Sequence, residues 1–353
     1  MTLRRSLKRL ATAASAAVLG LSLGTAHLAA EEFDRLRDLV EPVTAAKPFK
    51  IGVTLVHLQD DFWKGIAYGI ADEAEKAGVE VVQISVAGAY GNVREQFAQL
   101  ETLKTLGVDV AVVGAAAFDG YNPILRSLKD AGIMVVAAGI PVNSEHVDFG
   151  VTQDDSAIGV SLAEVVCSAK GDGDALAVTI PGPAGAEWAR LRHVGFVETA
   201  KGCGVSVVEG TVGGSIGLEH GVSQGSDLLL KNPDADFVFT PVIPLGMGAV
   251  QAARQVGSEA KVVSSALVRE AIPMIEDGRL VAVVSEPGIV MGRLIVQYAI
   301  RKLEGQEMPN LVTGGLYPNV IVPNTLITPE NAQTYPYDLW EIPPKSWSIE
   351  ALQ

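Results

Sequence analysis

The chain has 353 residues, 48% of them hydrophobic, and a formal net charge of −14. That length suits two domains with sizeable cores rather than one. The acidic balance excludes nucleic acid as a partner, since its phosphates repel such a surface. Arg4, Arg5, Lys8 and Arg9 precede an apolar run over Leu10–Gly24, and Ala29-Ala30 are small enough for cleavage. Residues 1–30 therefore read as an export signal, which implies a periplasmic location and leaves a mature charge of about −18.

Residues 49–56 hold Ile51, Val53, Leu55 and Val56, the apolar and β-branched pattern of a strand buried in a parallel sheet. Asp60-Asp61-Phe62-Trp63 follows at the head of a helix. Asp61 is expected to cap that helix by accepting an early backbone N–H. Phe62 is expected to pack inward as a staple and Trp63 to face outward, at the rim where open α/β sheets bind ligands. His57 shares that rim.

Further strands are expected at 79–85, 109–114 and 133–138, with helices at 62–77, 91–106 and 121–131. Gly78, Gly107 and Gly132 each end a helix just before the next strand, as βαβ units require. Tyr90 follows the second strand and Phe118 the third, so three consecutive strand ends carry aromatic residues. They form an expected binding wall.

The rhythm breaks at 139–145, and a domain boundary is placed near residue 142. A second set of strands is expected at 147–152, 174–180, 205–209, 236–240, 261–265 and 280–284. The helix at 288–304 is expected to return to the first lobe, with crossings near 285–288 and 313–315. The lobes then comprise 48–142 plus 286–314, and 143–285 plus 315–335. Residues 336–353, rich in Pro and aromatics, read as an extended surface tail.

In the second set, Asp155 reads as a helix cap. Trp188 and Arg190 either reach the cleft or, with Glu187, form an ordinary helix surface. Glu286, at a crossing, is suited to pair with a bound cation or with Arg190. Cys167 and Cys203 are a disulfide or two buried thiols. No nucleophile elbow, zinc-protease helix, Walker loop, dinucleotide fingerprint or metal-ligand spacing occurs. Neither an enzyme nor a cofactor is implied.

At Asp60-Asp61-Phe62-Trp63, Gly182–Phe196 and Asp277-Gly278-Arg279-Leu280 the chain resembles the type I periplasmic binding proteins of the ribose- and galactose-binding group. The resemblance implies an α/β fold of two Rossmann-like parallel-sheet lobes joined by a three-segment hinge, closing on a small-molecule ligand. Phe62-Trp63 with Tyr68-Gly69, Ala87–Tyr90, Ile180–Pro183 and Leu326–Ala332 are most similar to the TorT family, periplasmic sensors of trimethylamine N-oxide (TMAO). That likeness implies an aromatic cage for a methylammonium head and signalling to a membrane sensor histidine kinase. The alternative is the substrate-binding component of an ABC importer, with a permease as partner. Sugar binders of the group place polar side chains where this chain has Gly139, Val242-Ile243 and Ser265-Ala266, which disfavours a pentose or hexose. The expected ligand contacts are Asp61, Phe62, Trp63, Tyr90, Phe118, Trp188, Arg190 and Glu286.

Overall fold

The computed structural model describes residues 35–349, so the export signal expected over 1–30 lies outside the described residues. A short helix, α1 (Arg35–Leu39), leads into β1 (Lys50–Leu55), α2 (Asp61–Ala77), β2 (Glu80–Val86), α3 (Val93–Leu106), β3 (Val110–Val113), α4 (Asn122–Asp130), β4 (Met134–Gly139) and β5 (Phe149–Thr152). The chain then runs through α5 (Asp155–Lys170), β6 (Leu176–Thr179), α6 (Glu187–Gly202), β7 (Ser206–Glu209), α7 (Leu218–Lys231), β8 (Phe237–Phe239), α8 (Ile243–Val256), β9 (Lys261–Ser265), α9 (Ile272–Glu276) and β10 (Leu280–Val284). It ends with α10 (Gly288–Leu303), β11 (Leu311–Val312), β12 (Asn319–Ile321), β13 (Leu326–Ile327) and α11 (Tyr337–Trp340).

Among the described residues these strands form two sheets, in the orders β11-β12-β5-β4-β3-β1-β2 and β13-β10-β9-β8-β6-β7. Both are parallel except at one edge, where β11 and β13 run antiparallel to their neighbours. All of β1 beyond Lys50 is buried, because helices cover both faces of the sheet at this interior strand, whereas the edge strands β2 and β7 meet water.

The sheets move two expected crossings. β5 pairs in parallel with β4, from Val136↔Phe149 to Gly139↔Thr152. The strand expected to open the second lobe therefore closes the first, and the boundary lies after Thr152 rather than near 142. The third crossing lies at 322–325 instead of 313–315, because β12 pairs with β5 and β13 with β10. The crossing at 285–287 lies where expected. Beyond it α10 returns to the first lobe and packs on α2. A Cβ on Gly69 or Gly292 would collide with the opposing backbone, so glycine is what lets these two helices approach so closely.

The crossings are laced together. Asn324 Nδ2 donates to Gln153 Oε1 at 3.1 Å and to the Ser285 carbonyl at 2.6 Å, and Thr325 N donates to Ser285 Oγ at 2.8 Å. Arg35 adds a bond from Nη2 to the Pro323 carbonyl at 2.8 Å and lies 4.7 Å from the Trp340 ring. The tail is not simply an extended surface segment. It forms α11 and buries Glu341 and Ile342 near the second crossing, with Glu341 Oε2 accepting from Glu286 N. In the second lobe, Cys167 and Cys203 are joined as a disulfide that ties α5 to the residue after α6. Among the described residues, no helix is long and apolar enough to cross a membrane.

Candidate functional site

The head of α2 is built by two adjacent acids with different tasks. Asp60 has extended backbone and accepts from Trp63 N at 3.0 Å, so Asp60 is the cap and not Asp61. Asp61 is already helical. Its Oδ2 reaches across the gap to the backbone N–H of Arg269 in the second lobe, at 3.2 Å. The same division recurs at α5, where Asp154 caps and the expected cap Asp155 is turned inward.

Phe62 and Trp63 are both buried, Trp63 to 1% exposure. The Trp63 ring fills the space above Gly114, where any added Cβ would strike it. Phe62 packs over Gly139. The expectation that one ring turns inward and the other faces the cleft is replaced by two core rings whose edges both reach the gap between the lobes. His57 stands edge-on to Tyr90, with ring centroids 5.4 Å apart, and edge-on to Trp63 at 6.3 Å. Tyr90 faces Trp188 of the other lobe at 5.9 Å.

On α6, Trp188 is buried and Arg190 is not. Arg190 grips Glu187 with Nε and Nη2 at the surface, at 2.7 and 2.6 Å, and takes no part in the cleft. Glu286 consequently pairs with Arg192, not with Arg190. Sequence reasoning missed Arg192, although it lies four residues from Trp188 and so on the same helix face. Its guanidinium lies 4.9 Å from the Trp188 ring. It donates to Asp155 Oδ1 at 2.7 and 2.9 Å, to Glu286 Oε1 and to Oε2 at 3.0 Å, to Ser265 Oγ at 2.7 Å and to the Pro241 carbonyl at 3.0 Å. Gln153 Nε2 also donates to Glu286, at 2.7 Å. Every guanidinium nitrogen is thus engaged by the protein, as a buried charge requires.

Acids outnumber this cation. Burial pushes the Asp60 carboxyl up to about 7, with Glu286 and Asp61 adding to the shift against the Trp63 N–H bond. Burial likewise raises Asp155 to about 6, opposed by Arg192. Burial lowers His57 to about 4, so its ring is neutral. The Tyr90 phenol is raised by burial first and by the Asp60 charge second.

Two adjoining spaces lie between the lobes and share Tyr90, Ile140, Trp188 and Ile216 as walls. A small inner chamber of about 20 Å³ touches Asp60, Trp63, Tyr90, Trp188, Arg192 and Glu286. An outer chamber of about 590 Å³ lies on the other side of Tyr90 and Trp188, and Phe118 stands on its wall. Of the expected site residues, Phe62, Trp63, Tyr90, Phe118, Trp188 and Glu286 come together here, while Asp61 bridges the lobes beside them.

A family model described as a periplasmic binding protein domain matches residues 51–307. The periplasmic protein TorT of Escherichia coli K12 is 25% identical over 292 residues, covering 82% of this chain and 81% of that protein. The ribose import binding protein RbsB of Bacillus subtilis 168 is 24% identical, covering 78% and 92%. A crystal structure from Bordetella parapertussis 12822, described as the substrate-binding protein of a sugar ABC transport system, is 52% identical. It superimposes with a TM-score of 0.87 over 89% of this chain and all of that one.

Proposed function

This chain belongs to the periplasmic binding protein domain family, and on that premise we propose that it captures a small solute bearing a methylated or otherwise cationic head and delivers it to an ABC permease. Its relatives are binding proteins, not enzymes. The observation that carries the ligand reading is the pairing of Tyr90 and Trp188 from opposite lobes around a chamber that also holds the Asp60 carboxyl. Aromatic faces attract a cation whose own shell is apolar, and a cation bound beside Asp60 would favour the ionised form of that carboxyl. TMAO, whose quaternary nitrogen carries formal positive charge, is a member of that class. Arg192 is already committed to Asp155 and Glu286, which leaves Asp60 as the acid without a cationic partner of that strength. The importer role follows the Bordetella protein, the more similar of the relatives described above. A second reading, a TorT-like sensor acting on a membrane histidine kinase in the periplasm, is favoured by the aromatic set Trp63, Tyr90 and Trp188 and by the likeness to TorT.

Thermal-shift screening of the purified protein against TMAO, betaine, choline and a sugar panel tests the ligand reading. A ligand at 100 times its Kd stabilises by about 2.7 kcal/mol. A response confined to sugars rejects the cationic head.

A further inference from the structure

We propose that the ligand carries an apolar, ring-bearing body beyond its polar head, and that this body occupies the outer chamber between the lobes. The proposal rests on the interlobe site described above, but not on the charge of the head. The two chambers differ in size and in character. The inner one, at about 20 Å³, has room for little more than one water-sized group as it stands and is lined by charged and aromatic side chains. The outer one, at about 590 Å³, falls in the range of pockets that enclose drug-sized organic molecules. Phe118, Ile140, Pro141, Pro183 and Ile216 line it, with alanines and glycines between them. Its one carboxylate, Glu187, is held by both sides of the Arg190 fork. Its histidine, His57, is neutral.

The chamber is not the gap of widely parted lobes. Asp61 already reaches Arg269 N across the interface, and Tyr90 already meets Trp188. A compact solute leaves most of this apolar wall against water. A polyhydroxylated solute brings more hydroxyls than Gln59 and Ser215, the uncharged polar side chains of the wall besides Tyr90, can pair. An aromatic or alicyclic body does neither.

The junction of the chambers shows what the ligand offers there. His57 Nδ1 accepts from Gln59 N at 3.3 Å, which places the ring proton on Nε2. That Nε2 and Trp188 Nε1 are both buried and without a hydrogen-bond partner. Both residues line the outer chamber beside Tyr90. His57 Nε2 lies 3.9 Å from Asp60 Oδ2, so Trp188 Nε1 is the donor left for an acceptor atom of the ligand, such as an ester or ether oxygen, between head and body.

Two matched pairs of probes test this on the full-length protein by isothermal titration: choline against benzoylcholine, and galactose against phenyl β-galactoside. Within the pair whose head is accepted, the phenyl member is expected to bind roughly tenfold tighter or more. The Ala117→Phe variant, which fills the outer chamber, is expected to bring that ratio toward one while the melting temperature confirms folding. Equal affinities within a responding pair, a weaker phenyl member, or no binding by any of the four at millimolar concentration overturns the proposal. If the galactose pair alone shows the gain, the cationic head falls and the chamber assignment stands. If the choline pair binds without gain, the head stands and the chamber assignment falls.

Discussion

Tyr90 and Trp188 face each other across the interlobe gap, with ring centroids 5.9 Å apart and planes inclined at 40°, one ring from the loop after β2 and the other from the first turn of α6. Neither lobe alone builds this pair, so any solute held between the rings couples binding to closure. Trp188→Ala is expected to weaken binding of the best ligand by about 2 kcal/mol, roughly thirtyfold, with Kd measured by titration calorimetry. Unchanged affinity would place the site away from this ring pair.

Trp63 is a structural residue as much as a binding one. Its ring sits on Gly114 at 1% exposure, so Trp63→Ala opens a cavity in the first-lobe core. The expected loss is about 3–5 kcal/mol in urea unfolding. Gly114→Ala overpacks the same contact and costs about 1–3 kcal/mol. The two costs are expected not to add, because the cavity left by Trp63→Ala accepts the new methyl group. Additive costs would show that the ring and the glycine do not share that space.

The Arg192 cluster predicts a different asymmetry. Arg192→Met strands Asp155 and Glu286 as buried acids without their cation, an expected loss of about 3–5 kcal/mol. Replacing the acids as well, with Asp155→Leu and Glu286→Leu, is expected to recover most of it. Denaturant midpoints of the single and triple variants decide the matter, and a triple variant no more stable than the single one refutes it.

Glu341 links stability to pH. Burial raises its carboxyl from the ordinary 4.5 to about 7, against the bonds from Tyr335 and Glu286 N. The folded chain therefore holds a proton that the unfolded chain has lost over that interval. The resulting stabilisation is complete below about 4.5 and disappears as pH rises through about 7. Asp60, raised to about 7, acts in the same direction. Glu341→Gln keeps the acceptor oxygen without the charge. It is expected to raise the melting temperature at pH 8 and to flatten the slope between pH 5 and pH 8. A wild-type melting temperature that climbs across that interval contradicts the assignment.

The strands and helices were legible because their signals are local: β-branched runs, helix-ending glycines and a regular spacing of units. Lobe membership was not, because β5 and β12 are assigned by whom they pair with, and pairing is a property of distant sequence. The aromatic set was legible for a similar reason, since strand ends in a parallel sheet share one rim. Arg190 and Arg192 show the limit. The two arginines differ only in helix face, and the side that is buried depends on where Asp155 and Glu286 stand after folding. The Asp60-Asp61 and Asp154-Asp155 pairs misled in the same way. A helix start fixes the neighbourhood of a cap, but the exact residue depends on where the backbone leaves its extended form.

Asn324 bonds to Gln153 of one interlobe crossing and to Ser285 of another while lying in the third. The halves of the molecule thus share a single fulcrum rather than three separate tethers. Gln153 in turn holds Glu286, which borders the inner chamber, so the fulcrum touches the wall that a solute meets. Turning about such a point moves each atom in proportion to its distance from it. A shift of an ångström where the solute rests therefore grows along both arms and is largest at the far edges of the protein.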